Sequence, residues 1–295
     1  MNVSIIIVNY NTKELTRNCI NSIYLHTEGI SFEVILVDNG SIDGSKEWFE
    51  NDHRIKYIYN KENIGFGKAN NLGYAEAKGD YILLLNSDTL LQNNAVYKMF
   101  HFMQHTQGDV GCVGCELKDV EGGQMFSYGS FPSIKYFFGK ILEGYLIKIP
   151  LLLGRSSSCG SYPSKVDFIS GADLFVRRKV IEEYGLFDPD FFLYFEEVEM
   201  QHRYAEHGYE SNIIDSPQII HLEGASNKKK QGGRRSLRVP QIELQSRYIY
   251  CEKVMPKWDC IIIAYMHLLL IPKILLFNSS WADKLTMIKT IIKHL

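Results

Sequence analysis

The first 115 residues alternate short apolar runs with segments of helical periodicity, and this alternation limits the possible folds more than any other feature of the chain. Residues 3–8 (VSIIIV), 33–38 (EVILVD), 55–59, 81–85 and 110–113 read as strands. A helix is predicted to start at Asn11, with Glu14 three residues on as in a capping box and Leu15, Cys19, Ile20 and Ile23 at helical spacing. Strands separated by helices imply βαβ units and a mostly parallel, Rossmann-like α/β sheet flanked by helices. In such sheets ligands bind beyond the carboxyl ends of the strands. The first candidates are therefore Asn9 and Asn11, Asp38 and Asn39, and the polar break 86–88 inside LLLNSDTLL. Asp88, set where a buried strand stops, has the chemistry either to cap a helix or to hold a divalent metal.

Several function classes fall away. A dinucleotide fingerprint should directly follow the first strand, but that turn, NYNTKE, has no glycine; GFGKAN (65–70) follows the third strand and lacks the last glycine. A formal net charge of -2 offers no basic field for nucleic acid. Residues 3–8 are too short for a signal core and read as a strand. Of six cysteines only Cys112 and Cys115 are close, so buried free thiols in a reducing compartment, and a cytoplasmic protein, are expected.

Residues 116–165 are less regular, and 137–153 mixes bulky apolar residues with lysines. Residues 166–221 return to short strands and one clear helix, about 196–207. From Asn227 the composition changes: NKKKQGGRR is basic, and apolar helical segments follow. A boundary is placed near 225, with residues 1–225 as the catalytic domain and 226–295 as a basic linker and C-terminal helical extension. The lysines and arginines at 228–230 and 234–235 have the charge to close over a pyrophosphate or to touch lipid headgroups. Residues 260–277 are nearly long enough to span a bilayer, but His267, Pro272 and Lys273 interrupt them. The following WADKLTMIKTIIKHL, with Trp281 and with Lys284, Lys289 and Lys293 among apolar residues, reads as an amphipathic helix on an anionic membrane surface. Packing on the catalytic domain or in a homodimer is the alternative.

SIIIVNYN (4–11), VDNGSIDGS (37–45), NIGFGKANNLG (63–73), LLLNSDT (83–89), ISGADLFVRR (169–178), GLFDPDFFLYFEEVEMQHR (185–203) and HLEGAS (221–226) together resemble family 2 glycosyltransferases of the GT-A fold. The likeness is greatest to the rhamnosyltransferase-like branch of bacterial polysaccharide biosynthesis. It implies an inverting, metal-dependent transfer from a dTDP- or UDP-sugar, with dTDP-rhamnose as first choice. The acceptor implied is a lipid-linked or growing glycan at the inner face of the cell membrane.

By the same likeness Asp38 accepts the imide N–H of uracil or thymine, although a turn-capping aspartate is the plainer reading. Asn9, Asn11, Asn39, Asp43, Lys68, Asn70 and Ser87 join the donor set, Asn11 serving equally as a helix cap. The D-x-D metal motif is here Asn86-Ser87-Asp88. Asp88 and His221 are the implied ligands of Mg²⁺ or Mn²⁺, a hard cation that needs few protein carboxylates when phosphates supply the rest. Gly171, Ala172 and Asp173 fall to the sugar or acceptor. The family's Glu-Asp becomes Glu196-Glu197, which makes Glu197 the implied general base and Glu196 the lesser candidate; both also suit a helix N-terminus. Phe191, Phe192, Tyr194 and Phe195 read as core rather than sugar-stacking platforms. A non-catalytic nucleotide-sugar-binding subunit is the rival function, and it would need no base.

Overall fold

The computed structural model describes residues 1–106, 109–144, 161–222, 237–277 and 279–295. In chain order the N-terminal elements are β1 (Val3–Asn9), α1 (Lys13–His26), β2 (Phe32–Asn39), α2 (Ser45–Phe49), β3 (Ile55–Asn60), α3 (Phe66–Ala75), β4 (Tyr81–Asn86), β5 (Thr89–Leu91), α4 (Ala95–His105) and β6 (Val110–Cys115). Then come β7 (Tyr128–Gly129), α5 (Ile134–Gly144), β8 (Ser164–Val166), β9 (Phe168–Ile169), β10 (Asp173–Arg177), α6 (Arg178–Tyr184), α7 (Glu196–Glu206), β11 (Glu210–Ile214) and β12 (Ile219–His221). Four helices follow: α8 (Arg238–Val254), α9 (Lys257–His267), α10 (Ile271–Leu276) and α11 (Trp281–Lys293), with a 3₁₀ turn, Leu268–Leu270, joining α9 to α10.

All five predicted strands form, each a residue or two longer than the apolar run alone. They enter one sheet of order β3-β2-β1-β4-β10-β6-β11-β8. β3, β2, β1, β4, β6 and β11 run the same way, while β10 and β8 run against them. Alternate residues of each strand bury on opposite faces, as the pleat requires. Ile5, Ile7, Leu36, Leu83 and Leu85 pack under α1 and α4; Ile6, Ile35, Val37, Ile82 and Leu84 pack on the other face with Val180 of α6 and Met200 of α7. Cys112 and Cys115, three apart on β6, fall into these two opposite clusters and so do not form a metal pair. The five described cysteines are unpaired, and burial pushes the Cys112 thiol up to about 12.

Register lines up the predicted polar residues. Asn9 sits opposite Asp38, and Val8 opposite Asn86, so three strand ends open on one edge of the sheet. The antiparallel β10 was not expected between β4 and β6. Because it runs backwards, its first residue, Asp173, reaches that same edge opposite Leu85.

The expected capping box is corrected. Asn11 takes a left-handed conformation (φ +57°) and its Oδ1 accepts from the Ile42 amide at 2.8 Å. α1 begins two residues later, and the Lys13 amide is capped from across the loop by Asp43 Oδ2 at 2.9 Å. The C-terminal helices pack on the rest. Tyr250, Cys251 and Ile263 join Phe137, Phe168, Phe191, Phe195 and Val198 in one apolar cluster, and Leu244, Tyr248, Ala264, Ile274, Met287 and Ile291 form a second among the helices themselves. Lys284, read from sequence as part of a cationic outer face, is buried; its Nζ donates to the Leu275 carbonyl at 2.7 Å near the end of α10. The expected boundary near 225 and the basic run at 228–235 lie outside the described residues.

Candidate active site

Asp88 follows β4 in a tight turn and is almost covered. Its Oδ1 lies 3.2 Å from His221 Nε2, and the side-chain Nδ2 of Asn86 is 3.5 Å from the same nitrogen. The contact is built by the two-stranded β5–β12 ribbon, which sets His221 opposite Thr89 and is continued by a bond from the Leu222 amide to the Asp88 carbonyl at 2.8 Å. Among the described residues no third His, Cys, Asp or Glu completes a metal cage. The donor set nevertheless fits Mg²⁺ or Mn²⁺: adjacent ligands on an octahedral ion with bonds of about 2.1 Å lie about 3 Å apart, and phosphate oxygens fill such an ion's other positions.

Behind this pair the strand ends are stitched together. Asn9 is wholly buried; its Oδ1 accepts from the Thr12 and Thr16 hydroxyls at 2.8 and 3.0 Å, its amide donates to Ser41, and Thr12 reaches the Ser87 hydroxyl at 3.1 Å. Asp38 is also wholly buried, and both its oxygens are engaged, by the Ser41 amide at 3.0 Å and the Tyr57 hydroxyl at 2.8 Å. Asn39 ties down the loop before α3 through Asn63, Ile64 and Gly65, and Asn70 donates back to the Phe66 carbonyl. Exposed or half-exposed along this edge are Asn11, Asp43, Lys68 and Ser87, with two apolar side chains not anticipated from sequence, Tyr10 and Ile42. Burial pushes the Asp43 carboxyl up, but bonds from the Ser45 hydroxyl and the Lys13 and Ser45 amides outweigh it and hold it below its usual value.

Glu196 and Glu197 open α7. Two successive non-glycine residues before them, Tyr194 (φ +71°) and Phe195 (φ +70°), are left-handed. Each such residue costs on the order of 1–3 kcal/mol. Burial of a ring such as Phe191 or Phe195 contributes about 1.5–3 kcal/mol, so the turn persists only while its rings stay covered. GFG supplies the seat. The Phe66 amide donates to the Phe192 carbonyl at 2.8 Å, and a Cβ on Gly65 (φ +94°) would stand 2.4 Å from that oxygen. Gly67 lies against Phe187, whose Cβ would be 3.2 Å from an added Cβ, and beside Glu196, at 3.7 Å. The motif therefore receives protein backbone. Gln201, also unanticipated, fixes the helix from behind by bonding both the amide and the carbonyl of Ile169 at 2.9 and 2.8 Å.

The two halves meet at residues 171–173. A Cβ on Gly171 would lie 4.0 Å from Glu197 Cβ, the Ala172 carbonyl accepts from the Asn86 amide at 3.0 Å, and Asp173 Oδ2 accepts from the Cys115 amide at 2.7 Å. Asp173 Oδ1, Glu196 Oε2 and Glu197 Oε2 are buried without a partner among the described residues. Orphaned buried oxygens are rare enough to mark a place where a ligand or proton belongs. Burial raises Asp173 to about 6, against the pull of Cys115 and of nearby His221. It raises Glu197 to about 7, backbone amides offsetting only part. Burial and the charge of Glu197 hold Glu196 well above the ordinary carboxyl value.

Residues 4–185 match the family described as Glycosyl transferase family 2. Among curated proteins, the chain is 28% identical over 130 residues to glycosyltransferase GlyG of Streptococcus pneumoniae, 43% of each chain. It is 26% identical over 209 residues to the low-salt glycan biosynthesis hexosyltransferase Agl10 of Haloferax volcanii, 68% of this chain and 61% of the relative. The chain spans about half the length of the curated relatives it matches. A solved structure of GalNAc-T7 with UDP, GalNAc and Mn²⁺ superposes with a TM-score of 0.63 at 16% identity, over 99% of this chain and 55% of that one, a likeness of fold alone. The sequence match runs from β1 through α6, across every strand end from Asn9 to Asp173, and the chain belongs to glycosyl transferase family 2.

Proposed function

We propose that the chain transfers a sugar, with inversion, from a nucleoside diphosphate donor to a glycan acceptor, Glu197 acting as general base. The observation that carries this reading is the Glu197 carboxyl, raised to about 7 by burial, with Oε2 unpartnered among the described residues, beside the same short segment that touches the Asp88–His221 turn. A base is most effective with a pKa near the working pH. Glu197 takes the proton of the acceptor hydroxyl, whose oxygen bonds to the anomeric carbon. The carbon–oxygen bond to the diphosphate breaks on the opposite face, and the diphosphate leaves with the electron pair. Asp88 and His221 would hold a Mg²⁺ or Mn²⁺ ion, which when bound neutralises charge on that diphosphate.

The nucleoside lies along the exposed edge of Tyr10, Asn11, Ile42 and Asp43. Asp38 holds Ser41 and Tyr57 with one bond to each oxygen, and each oxygen keeps a lone pair with which to accept the imide N–H of the base. Asp173, with Gly171 and Ala172, faces the sugar or acceptor. dTDP-rhamnose is the donor to test first. Purified protein with Mn²⁺ should release nucleoside diphosphate from one member of a panel of dTDP- and UDP-sugars, faster with a lipid-linked glycan acceptor. No release across the panel would overturn the reading.

The acceptor's lipid is met, in this proposal, by the C-terminal helices at the cytoplasmic membrane face. Lys257–Leu276 is the one segment among the described residues long and apolar enough to cross a membrane, with mean hydropathy 1.9 and 22% of it buried. Its buried side packs on the protein, while Trp258, Ile261, Ile262, Tyr265 and Leu269 form an exposed stripe at helical spacing. α11 adds exposed Trp281, Leu285 and Ile292 with Lys289 and Lys293. Aromatic and aliphatic side chains beside lysines suit an anionic lipid interface. Trp258→Ala with Trp281→Ala should cut cosedimentation with phosphatidylglycerol vesicles severalfold and leave nucleotide affinity unchanged. If these substitutions instead split a dimer in the absence of lipid, the stripe is a subunit interface.

A further inference from the structure

The segment 185–195 that delivers Glu196 and Glu197 has no regular structure of its own, and α7 starts without a side-chain cap. Three residues of α8 reach it from the far end of the chain. The Ser246 hydroxyl donates to the Leu193 carbonyl at 2.8 Å. The Tyr250 ring packs on Phe195 with centroids 5.5 Å apart. Lys253 Nζ bridges Asp188 and Asp190 at 2.8 and 2.7 Å. Positions 246, 250 and 253 share one face of a helix, so the contacts form a single row along the segment. On its other side the segment is fixed by GFG, through the Phe66 amide and the close approach at Gly65. The left-handed pair Tyr194–Phe195 is thus gripped from both sides immediately before the acids.

We propose that α8 is a clamp that positions the base, with Ser246, Tyr250 and Lys253 as positioning residues acting through the Tyr194–Phe195 turn. The inference rests on Glu197 as the base. It makes the C-terminal helices part of the catalytic apparatus as well as a docking surface.

Lys253→Met, Lys253→Arg, Ser246→Ala and Glu197→Gln test it in the full chain. Lys253→Met should lower kcat about 10- to 100-fold, the scale of a misplacement near 1 Å, with calorimetric affinity for the nucleoside diphosphate and Mn²⁺ unchanged. Its kcat profile should also move: as the turn loosens and water reaches Glu197, the acid limb falls by about one pH unit. Lys253→Arg, which keeps the charge, should behave as wild type. Lys253→Met placed on Glu197→Gln should cost nothing further, because both act on one group. Ser246→Ala, which removes one hydrogen bond, carries the same readouts if Lys253→Met fails to fold. Wild-type kcat and acid limb in both Lys253→Met and Ser246→Ala, or additive losses with Glu197→Gln, would overturn the clamp while leaving the base reading intact. Full activity in Glu197→Gln would overturn the base reading and the clamp with it.

Discussion

Glu197→Gln is expected to slow sugar transfer by about 10²–10⁴-fold, the usual contribution of a general base, with little change in nucleotide affinity. Glutamine fills nearly the same space but accepts no proton. Glu196→Gln should do far less. Glu196 is 2% exposed and faces GFG, whereas Glu197 is half-buried beside Gly171. Burial and its neighbour's charge push the Glu196 carboxyl well above the ordinary value, so it is the poorer proton acceptor of the two. Wild-type kcat should rise with pH through an acid limb near the Glu197 value of about 7. The sign for stability is opposite. A carboxyl raised by folding contributes stability present in full below its unfolded value and lost as pH rises through the folded one. The window runs from about 4.5 to about 7, so this site loses stability as it gains activity. Stopped turnover in Glu196→Gln with normal turnover in Glu197→Gln would move the base by one position. A wild-type profile flat between pH 5 and 8 would remove the base altogether.

Asp88→Ala should abolish the tightening that Mn²⁺ gives to UDP or dTDP binding. Charge-assisted contacts of this kind are worth about 1.5–3 kcal/mol, or about ten- to a hundredfold in Kd. Affinity measured in EDTA should be the same in variant and wild type. The comparison isolates the ion because Asp88 lies in the turn after β4, and the backbone hydrogen bonds that hold the strand and the turn do not use its carboxylate. His221→Ala should cause a smaller loss of the same kind. If Mn²⁺ tightens nucleotide binding equally in Asp88→Ala and wild type, the Asp88–His221 contact is an ion pair and nothing more.

Residues 1–115 were legible because β1, β2, β4 and β6 are buried on both faces, which forces apolar runs, β1, β2 and β4 ending abruptly in polar residues. The cap on α1 was misread because an Asn followed by Glu at the third position fits both a capping box and a left-handed turn. Only the contact with Ile42, thirty-one residues away, separates them. β10 could not be placed from sequence, since a short apolar strand carries no mark of its direction or neighbours. The acids at 196 and 197 were visible, but the strain before them was not, because Tyr194 and Phe195 are residues that ordinarily avoid positive φ. The C-terminal helices were ambiguous for a chemical reason. An apolar stripe looks the same whether lipid or protein covers it, and these helices carry one stripe of each kind. The spacing of Ser246, Tyr250 and Lys253 was available, but nothing local says what they touch.

The backward insertion of β10 also bears on when the site can exist during synthesis. Asn86 meets His221 from 135 residues away, and the turn before α7 is gripped by a helix that ends at Val254. Such long-range closures are slow and late in folding. At ribosomal rates of about 5–20 residues per second, about ten to thirty seconds separate the emergence of Asp88 from that of Lys253. For most of that interval the nascent chain lacks β10, and throughout it the α8 contacts are incomplete. The strand ends from Asn9 to Asp173 and the turn before α7 therefore come together only near the end of synthesis, and a chain cut short before α8 would carry both acids without the contacts that hold their turn.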